Sequence, residues 1–380
     1  MKAPAESESY PCGIDTWAVH LQRVDRSARI SLCAQTELIR NRCHRPSPHR
    51  TRAWPRDSAH LMPVFMPSVT PVRRVVIGQN AHAAMAQRIA EARPDLELRG
   101  NIFSAITAAD LEWADAYLGF KRPPLPSMGN VRWVQSTGAG VDSWLQPVEL
   151  PRDIVLTRTS ESFGPMIAEW ALSRALAFVT KIVALSDDQR AHRWNPSDIG
   201  MLRGTHAVVV GTGDVGTQVG RVFRALGCRV TGVSRTGQGD ATVFGSVHRS
   251  AALADVVGDA DWVILTLPLT PDTRGMVNES VLRACNGAVL MNAGRGAVID
   301  ESVLPRALTE GWISGAALDV FEVEPLPAAS PLWDDPRVMI SPHVSGLTTI
   351  DGAVDAFLEI LATFERGEVP KWVVDRDRGY

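Results

Sequence analysis

Cysteine is scarce in this 380-residue chain. Its five copies, Cys12, Cys33, Cys43, Cys228 and Cys285, form no CxxC pair. That spacing supports neither a metal site nor a disulfide framework, so no metal is expected and a reducing cytoplasm is the expected setting. Charge of one sign is lacking too. A net charge of -3 offers no bulk attraction to nucleic acid or to a membrane surface, and neither is expected as a partner. No uninterrupted apolar run is long enough for a transmembrane helix. The composition, 45% hydrophobic and 21% charged, is that of an ordinary soluble α/β protein with enough length for two domains with full cores.

Periodicity is absent from the first stretch. Up to about Val72 the chain holds three of the five cysteines and the segment "RNRCHRPSPHRTRAWPRDSAH" (Arg40 to His60), rich in Arg, His and Pro. Four readings stand: a disordered tail, an Arg-rich targeting peptide, a small basic binding arm, or an upstream extension outside the native product. Glu6 and Glu8 weaken the targeting reading, and Met62 and Met66 offer alternative starts just before the first good strand. A disordered or non-native extension over 1–72 is favoured, because no apolar pattern offers it a core.

From Arg73 the pattern changes. "RRVVIG" is a short apolar run, Ala81 to Arg93 reads as a helix, and Pro94 ends it. "DAYLGF" (Asp115 to Phe120), "VRWVQST" (Val131 to Thr137) and "DIVLTRT" (Asp153 to Thr159) are further strand candidates. The alternation predicts a small α/β domain with a parallel sheet. "AEWALSRALAFVTKIVAL" (Ala168 to Leu185) reads as one long helix, apolar on most faces and therefore buried between domains or against another subunit.

A second α/β series comes next. Its strand candidates are His206 to Gly211, Arg229 to Ser234, Trp262 to Leu267, Ala288 to Ala293, Gly315 to Val320 and Val338 to Ser341. Such Val, Ile and Leu runs suit strands covered on both faces. A closing helix near Asp351 to Glu368 is expected to return to the first domain, since no strand comes after it.

The strand "AVVV" runs directly into "GTGDVG", Gly211 to Gly216, and Val215, Val219, Val222, Phe223 and Leu226 continue at helical spacing. In that context the glycines read as a dinucleotide fingerprint. Gly211 allows the tight turn, Gly213 lets the backbone approach a pyrophosphate, and Gly216 lets helix and strand pack closely. The helix start supplies N–H donors and partial positive charge. An acid is missing, however. The Asp or Glu expected about 20 residues past the fingerprint, which would hold the free ribose hydroxyls, is replaced by Ser234 and Arg235 in "TGVSRTG". A hydroxyl and a guanidinium suit a 2′-phosphate, so NADP(H) is preferred over NAD(H), although an arginine there can also stack on adenine without discriminating.

Three polar signatures stand after later strands of the same series: "NAGRGAVID" with Arg295, "DVFEVEPLP" with Asp319, Glu322 and Glu324, and "SPHVSG" with His343. In a doubly wound sheet, ligands bind outside the carboxyl ends of the strands, so all three can meet the nicotinamide end of a dinucleotide. Taken with the fingerprint, "LPLTPDTRGMVN" (Leu267 to Asn278), "GAALDVFEVEPLP", "LWDDPRVMISPHVSG" and "VQSTGAGVD", these segments resemble the D-isomer-specific 2-hydroxyacid dehydrogenases. That family includes glyoxylate/hydroxypyruvate reductases and phosphoglycerate dehydrogenases. The resemblance runs from about Arg73 to Tyr380 and leaves the N-terminal extension outside.

The resemblance implies a Rossmann-type doubly wound cofactor domain over 166–344 and a smaller, discontinuous flavodoxin-like substrate domain over 73–165 and 345–380. It implies hydride transfer between NADP (preferred) or NAD and a small 2-keto or 2-hydroxy acid, in a homodimer. The family's catalytic Arg, Glu and His match Arg295, Glu324 and His343. His343 would protonate the carbonyl oxygen in reduction, Glu324 would fix its tautomer, and Arg295 would bind the carboxylate and polarise the keto oxygen. Glu322 is the competing carboxylate; the motif places its acid directly before the proline, here Pro325. Cofactor contacts are expected at Gly211, Gly213, Asp214, Val215, Gly216, Ser234, Arg235, Leu267, Pro268, Thr273, Asn292, Ala293, Arg295 and His343, with Asp319 on the nicotinamide carboxamide. Substrate contacts are expected from Phe120, Gly138, Ala139, Gly140, Arg295 and His343. Consecutive N–H groups at "TGAG" (Thr137 to Gly140) make an anion nest for the carboxylate. Lys121 and Arg122 either bind a second acidic group or are solvated, the latter being favoured.

Two function classes compete. One is a reductase of glyoxylate, hydroxypyruvate or a similar acid. The other is a non-catalytic, dinucleotide-sensing corepressor on the same fold. Retention of Arg295, Glu324 and His343 together favours the enzyme. A formate dehydrogenase is a weaker third reading, because that branch has Gln where Glu324 stands.

Overall fold

The computed structural model describes residues 71–379, apart from 146, 147, 149 and 160–162. The expected N-terminal extension lies outside the described residues except for its last two positions. One of these, Val72, is buried with Val75 and Ile77, so the core includes one residue more than the periodicity indicates.

The chain from Val72 onward is organised by two parallel sheets. The first contains β1 (Arg74–Gly78), β2 (Glu97–Asn101), β3 (Ala116–Leu118), β4 (Trp133–Ser136) and β5 (Val155–Arg158), in the order β2-β1-β3-β4-β5. This is the flavodoxin-like order. In β1, Val75 and Ile77 face one apolar cluster while Val76 faces another that holds Leu111, Tyr117 and Trp144. A strand hidden on both faces is apolar throughout rather than alternating, which is why "RVVIG" is readable. β2 is an edge strand with sequence ELRGN, mostly exposed and held by its ladder from Arg74↔Glu97 to Gly78↔Asn101. It has no apolar signal, and hydrophobic periodicity misses it. Helices α1 (His82–Ala92), α2 (Ala108–Trp113) and the short α3 (Asp142–Leu145) complete this part. Thr107 and Asp110 close a capping box at the start of α2.

The single helix expected over Ala168 to Leu185 is two. The first, α4 (Gly164–Val179), ends at Thr180, and α5 (Ile182–Arg190) restarts after Lys181, whose φ of 51° is left-handed. Apolar residues continue across the break, so periodicity cannot reveal it. The burial expectation divides with the helix. Ile167, Ala168, Trp170, Ala171 and Ala175 of α4 are buried, whereas α5 buries none of its residues against the described chain.

The second sheet holds β6 (His206–Val210), β7 (Arg229–Ser234), β8 (Ser246–Arg249), β9 (Trp262–Leu265), β10 (Ala288–Asn292), β11 (Ile313–Leu318) and β12 (Val338–Ile340). Their order is β12-β11-β10-β9-β6-β7-β8. The six strands from β8 to β11 have the Rossmann order, and β12 extends it. Connecting helices are α6 (Asp214–Ala225), α7 (Leu253–Val256), α8 (Glu279–Ala284) and α9 (Leu304–Thr309). Ala207, Val209 and Ile264 pack toward α4 and α6, while Val208, Val210 and Leu265 pack on the opposite face. β8, with sequence SVHR, is a second exposed edge strand that the apolar pattern does not show.

The last helix, α10 (Ile350–Glu365), lies on α1 and the first sheet. Phe357 stacks on the buried Trp133 at 5.1 Å, and Trp133 Nε1 donates to Thr157 at 2.7 Å. Arg88 bonds Asp351 and Asp355, and Arg93 bonds Glu365. The residues after α10 return to β5 through a Thr157↔Val373 bridge.

Candidate active site

β6 delivers the fingerprint to the carboxyl edge of the second sheet. Gly211 has φ 108°, which a residue with a Cβ rarely adopts. A Cβ on Gly216 would lie 1.7 Å from the Gly211 carbonyl oxygen, so only glycine lets α6 start this close to β6. Gly213 caps α6 and nothing stands within 4 Å of where its side chain would be. Its backbone is thus open to a ligand.

The fingerprint opens into a cleft of about 1020 Å³ lined by residues of both sheets. Of the expected residues, Gly211, Gly213, Asp214, Val215, Gly216, Ser234, Arg235, Leu267, Pro268, Thr273 and Ala293 line it on the fingerprint side. Phe120, Gly138, Ala139, Gly140, Arg295 and His343 line it as well. At the end of β7, Ser234 donates to the Gln238 carbonyl at 2.9 Å and accepts from the Gln238 N–H. Its hydroxyl proton is therefore already engaged. Arg235 is exposed beside it and makes no hydrogen bond or ion pair with the described residues. Thr273 faces the cleft but donates to the Pro268 carbonyl at 2.7 Å, so it also shapes the loop after β9.

Three expected contacts lie outside the cleft lining. Asn292 is fully buried; it donates to the Arg295 carbonyl and accepts from the Gly294 N–H, holding the turn that presents Arg295. Asp319, expected on a nicotinamide carboxamide, is likewise fully buried. Its Oδ1 accepts from Ser341 Oγ at 2.6 Å and from the Val344 N–H, and its Oδ2 accepts from the Ser345 N–H. Those bonds set the carboxylate to bracing the loop that carries His343. Glu324 stands behind His343 rather than on the cleft wall.

His343 adopts φ 55°, an unusual value for a residue with a side chain, and its N–H donates to the Asp319 carbonyl at 2.8 Å. Its Nδ1 lies 2.8 Å from Glu324 Oε2. The other Glu324 oxygen accepts from the Phe321 N–H at 3.0 Å. Burial alone would raise the Glu324 carboxyl pKa. The hydrogen bonds from His343 and Phe321 and the nearby positive charges outweigh it and hold the group below its ordinary value. Glu322 makes no bond to His343; its backbone N–H donates to Glu301.

Arg295 reaches across to the first sheet. Its Nε donates to Asp142 Oδ1 at 3.0 Å and its Nη1 donates to the Gly294 carbonyl. A Cβ on Gly140 would lie 1.5 Å from Arg295 Nη2, so the guanidinium rests directly on the Gly-rich turn. Phe120 covers the same turn, with a Cβ on Gly138 falling 2.4 Å from its ring.

Residues 172–345 match the family model of the D-isomer specific 2-hydroxyacid dehydrogenase NAD binding domain. The chain is 33% identical over 272 residues to a glyoxylate/hydroxypyruvate reductase A from Serratia proteamaculans, covering 68% of this chain and 86% of that protein.

The chain belongs to the D-isomer-specific 2-hydroxyacid dehydrogenase family.

The two-sheet fold agrees with solved structures of that family. A D-isomer specific 2-hydroxyacid dehydrogenase from Xanthobacter autotrophicus Py2, in complex with NADPH and MES, superimposes with a TM-score of 0.74 at 31% identity, over 81% of this chain and 100% of that one. An NADPH-dependent glyoxylate/hydroxypyruvate reductase from Sinorhizobium meliloti, in complex with NADP and sulfate, gives a TM-score of 0.72 at 28% identity, over 81% and 100%.

Several residues in or beside the cleft escape a reading of the sequence. Asp142 is one, although it ends the segment "VQSTGAGVD". Arg158 donates to the Ala139 carbonyl at 3.1 Å and lies over the Trp372 ring, bracing the glycine turn from behind. Gln79 donates to Thr137 at 3.0 Å. No local motif marks these residues, because each acts through a partner distant in sequence. Lys121 and Arg122 are outside the cleft lining: Lys121 lies over Phe103 and Arg122 donates to the Val148 carbonyl.

Proposed function

We propose that the chain is an NADPH-preferring reductase of small 2-keto acids that forms the D-2-hydroxy acid, with glyoxylate or hydroxypyruvate as its substrate class. The observation that carries this reading is the convergence of Arg295 and the Glu324-paired His343 on the cleft that the glycine fingerprint opens. The dinucleotide fits that cleft chemically. Gly213 leaves backbone open for a pyrophosphate, and Arg235 offers a guanidinium with no partner among the described residues where the ribose acid is missing. With the Ser234 hydroxyl engaged by Gln238, Arg235 is the principal 2′-phosphate ligand. The NADPH and NADP carried by two similar structures support the same choice.

The reduced nicotinamide, when bound, supplies the hydride to C2 of the substrate. His343, protonated, gives a proton from Nε2 to the carbonyl oxygen. Glu324 accepts from Nδ1–H, which fixes the ring orientation and leaves Nε2 to face the substrate. Arg295 binds the substrate carboxylate and steadies the developing negative charge on the keto oxygen. The N–H groups of Gly138 to Gly140 take the carboxylate, and Phe120 walls the pocket. Asp319 and Asn292 act one layer out, by holding the loops that carry His343 and Arg295.

In this reading residues 73–165 with 345–380 form the substrate domain and 166–344 the cofactor domain. The enzyme is a cytoplasmic homodimer. Ile182, Val183 and Leu185 of α5, followed by Trp194, Ile199 and Met201, form an exposed apolar stretch that a second copy would cover. The test is oxidation of NADPH and NADH by purified protein with glyoxylate, hydroxypyruvate, pyruvate and phenylpyruvate. Turnover with higher kcat/KM for NADPH is expected. No turnover with any of these acids and either cofactor would leave only dinucleotide binding.

A further inference from the structure

We propose that Asp142 is a positioning residue that orients Arg295 from across the cleft and makes the arginine competent only when the two lobes are together. The inference rests on the function proposed above. Asp142 opens α3, beside the first sheet, whereas Arg295 comes after β10 of the second. Their bond, Nε to Oδ1 at 3.0 Å, is an ion pair between the two lobes at the substrate end of the cleft.

The geometry assigns the guanidinium donors. Nε goes to Asp142 and one Nη1 hydrogen to the Gly294 carbonyl. Nη2 is pressed against Gly140 and faces the nest where a carboxylate would lie. Gly294 is a neighbour of Arg295 and moves with it, so Asp142 is the fixed point on the opposing wall. The same short segment anchors the pocket a second time, because Ser143 Oγ donates to the Phe120 carbonyl at 3.2 Å. One turn of chain, 137–143, thus carries the anion nest, orients the arginine and ties down the aromatic wall. Separating the lobes would break the Asp142 bond and release the guanidinium.

This role has a sign that a direct role would not share. A carboxylate facing an anionic substrate repels it, so if Asp142 met the substrate directly, removing it would tighten binding. If Asp142 acts through Arg295, removing it weakens binding. The experiment compares wild type, Asp142→Ala and Asp142→Asn, measuring oxalate affinity of the NADP complex by calorimetry, kcat/KM for 2-keto acid and KM for NADPH. Asparagine keeps an oxygen for the Arg295 Nε–H. Asp142→Ala should weaken oxalate and lower kcat/KM by about 10–100-fold, the usual scale for a lost charge-assisted hydrogen bond, with KM for NADPH unchanged. Asp142→Asn should recover most of that loss. Tighter or unchanged oxalate binding in Asp142→Ala overturns the proposal, as does an equal loss in both variants accompanied by a raised KM for NADPH. Wild-type protein that turns over no 2-keto acid would instead defeat the functional reading itself.

Discussion

Replacing Glu324 with glutamine isolates the charge in the Glu324–His343 pair. Glutamine keeps the shape and an acceptor oxygen for His343 Nδ1–H, and removes the negative charge 2.8 Å from the ring. Two unit charges 4 Å apart attract by about 4 kcal/mol at an effective dielectric of 20. The two side chains here are 39% and 37% exposed, so water screens the pair. Fully exposed pairs contribute about 0.2–1 kcal/mol, and a half-buried pair falls between the limits, at roughly 1.4 kcal/mol or a tenfold change in rate. The sign is set by which form is needed. The proposed reduction spends a charged His343 ring whose Nδ1 side is held by Glu324, so removing the carboxylate charge should lower kcat at neutral pH about tenfold. The acid side should change in another way. In wild type, activity falls only once Glu324 itself is protonated, below the ordinary carboxylate range, because its hydrogen bonds and positive neighbours outweigh its burial. Glutamine has no such titration. The assay is the pH dependence of kcat for reduction, with Glu322→Gln as the control that should keep the wild-type profile. An unchanged kcat at neutral pH in Glu324→Gln would refute the catalytic weight given to the Glu324–His343 pair.

The same geometry sets other outcomes. Gly140→Ala places a Cβ 1.5 Å from Arg295 Nη2, a flexible side-chain end, so the guanidinium swings away. We expect kcat/KM to fall about 100-fold with Tm nearly unchanged; thermal melts and initial rates check both. Arg235→Ala should raise KM for NADPH far more than for NADH, and equal effects would make Arg235 a generic adenine contact. Trp133→Ala removes the ring that stacks on Phe357 of α10 and should cost about 3–5 kcal/mol in denaturant unfolding.

The legible parts of the fold are those written in apolar runs. β1 and β6, buried on both faces, stand out, and so does the amphipathic α6 after the fingerprint. β2 and β8 do not, because an edge strand is held by backbone ladder bonds that any polar residue can make. The break at Lys181 is hidden because the residues on both sides are apolar, although only those of α4 are buried. At the site, Arg295, Glu324 and His343 are readable because motifs on successive strands carry them. Asp319 reads as a ligand contact in the sequence, and its burial against three donors from the His343 loop can only be seen in three dimensions. Asp142 carries no role in the sequence for a similar reason: its partner lies 153 residues away.

The central claim is that His343 gives the proton while C2 of a 2-keto acid takes the hydride. The most direct test is product analysis after turnover of hydroxypyruvate with NADPH carrying deuterium at both C4 positions of the nicotinamide, for wild type and His343→Ala. The account predicts a D-2-hydroxy acid carrying deuterium at C2 from wild type, and loss of nearly all turnover in His343→Ala. A His343→Ala enzyme with wild-type kcat, or a product without deuterium at C2, would contradict it.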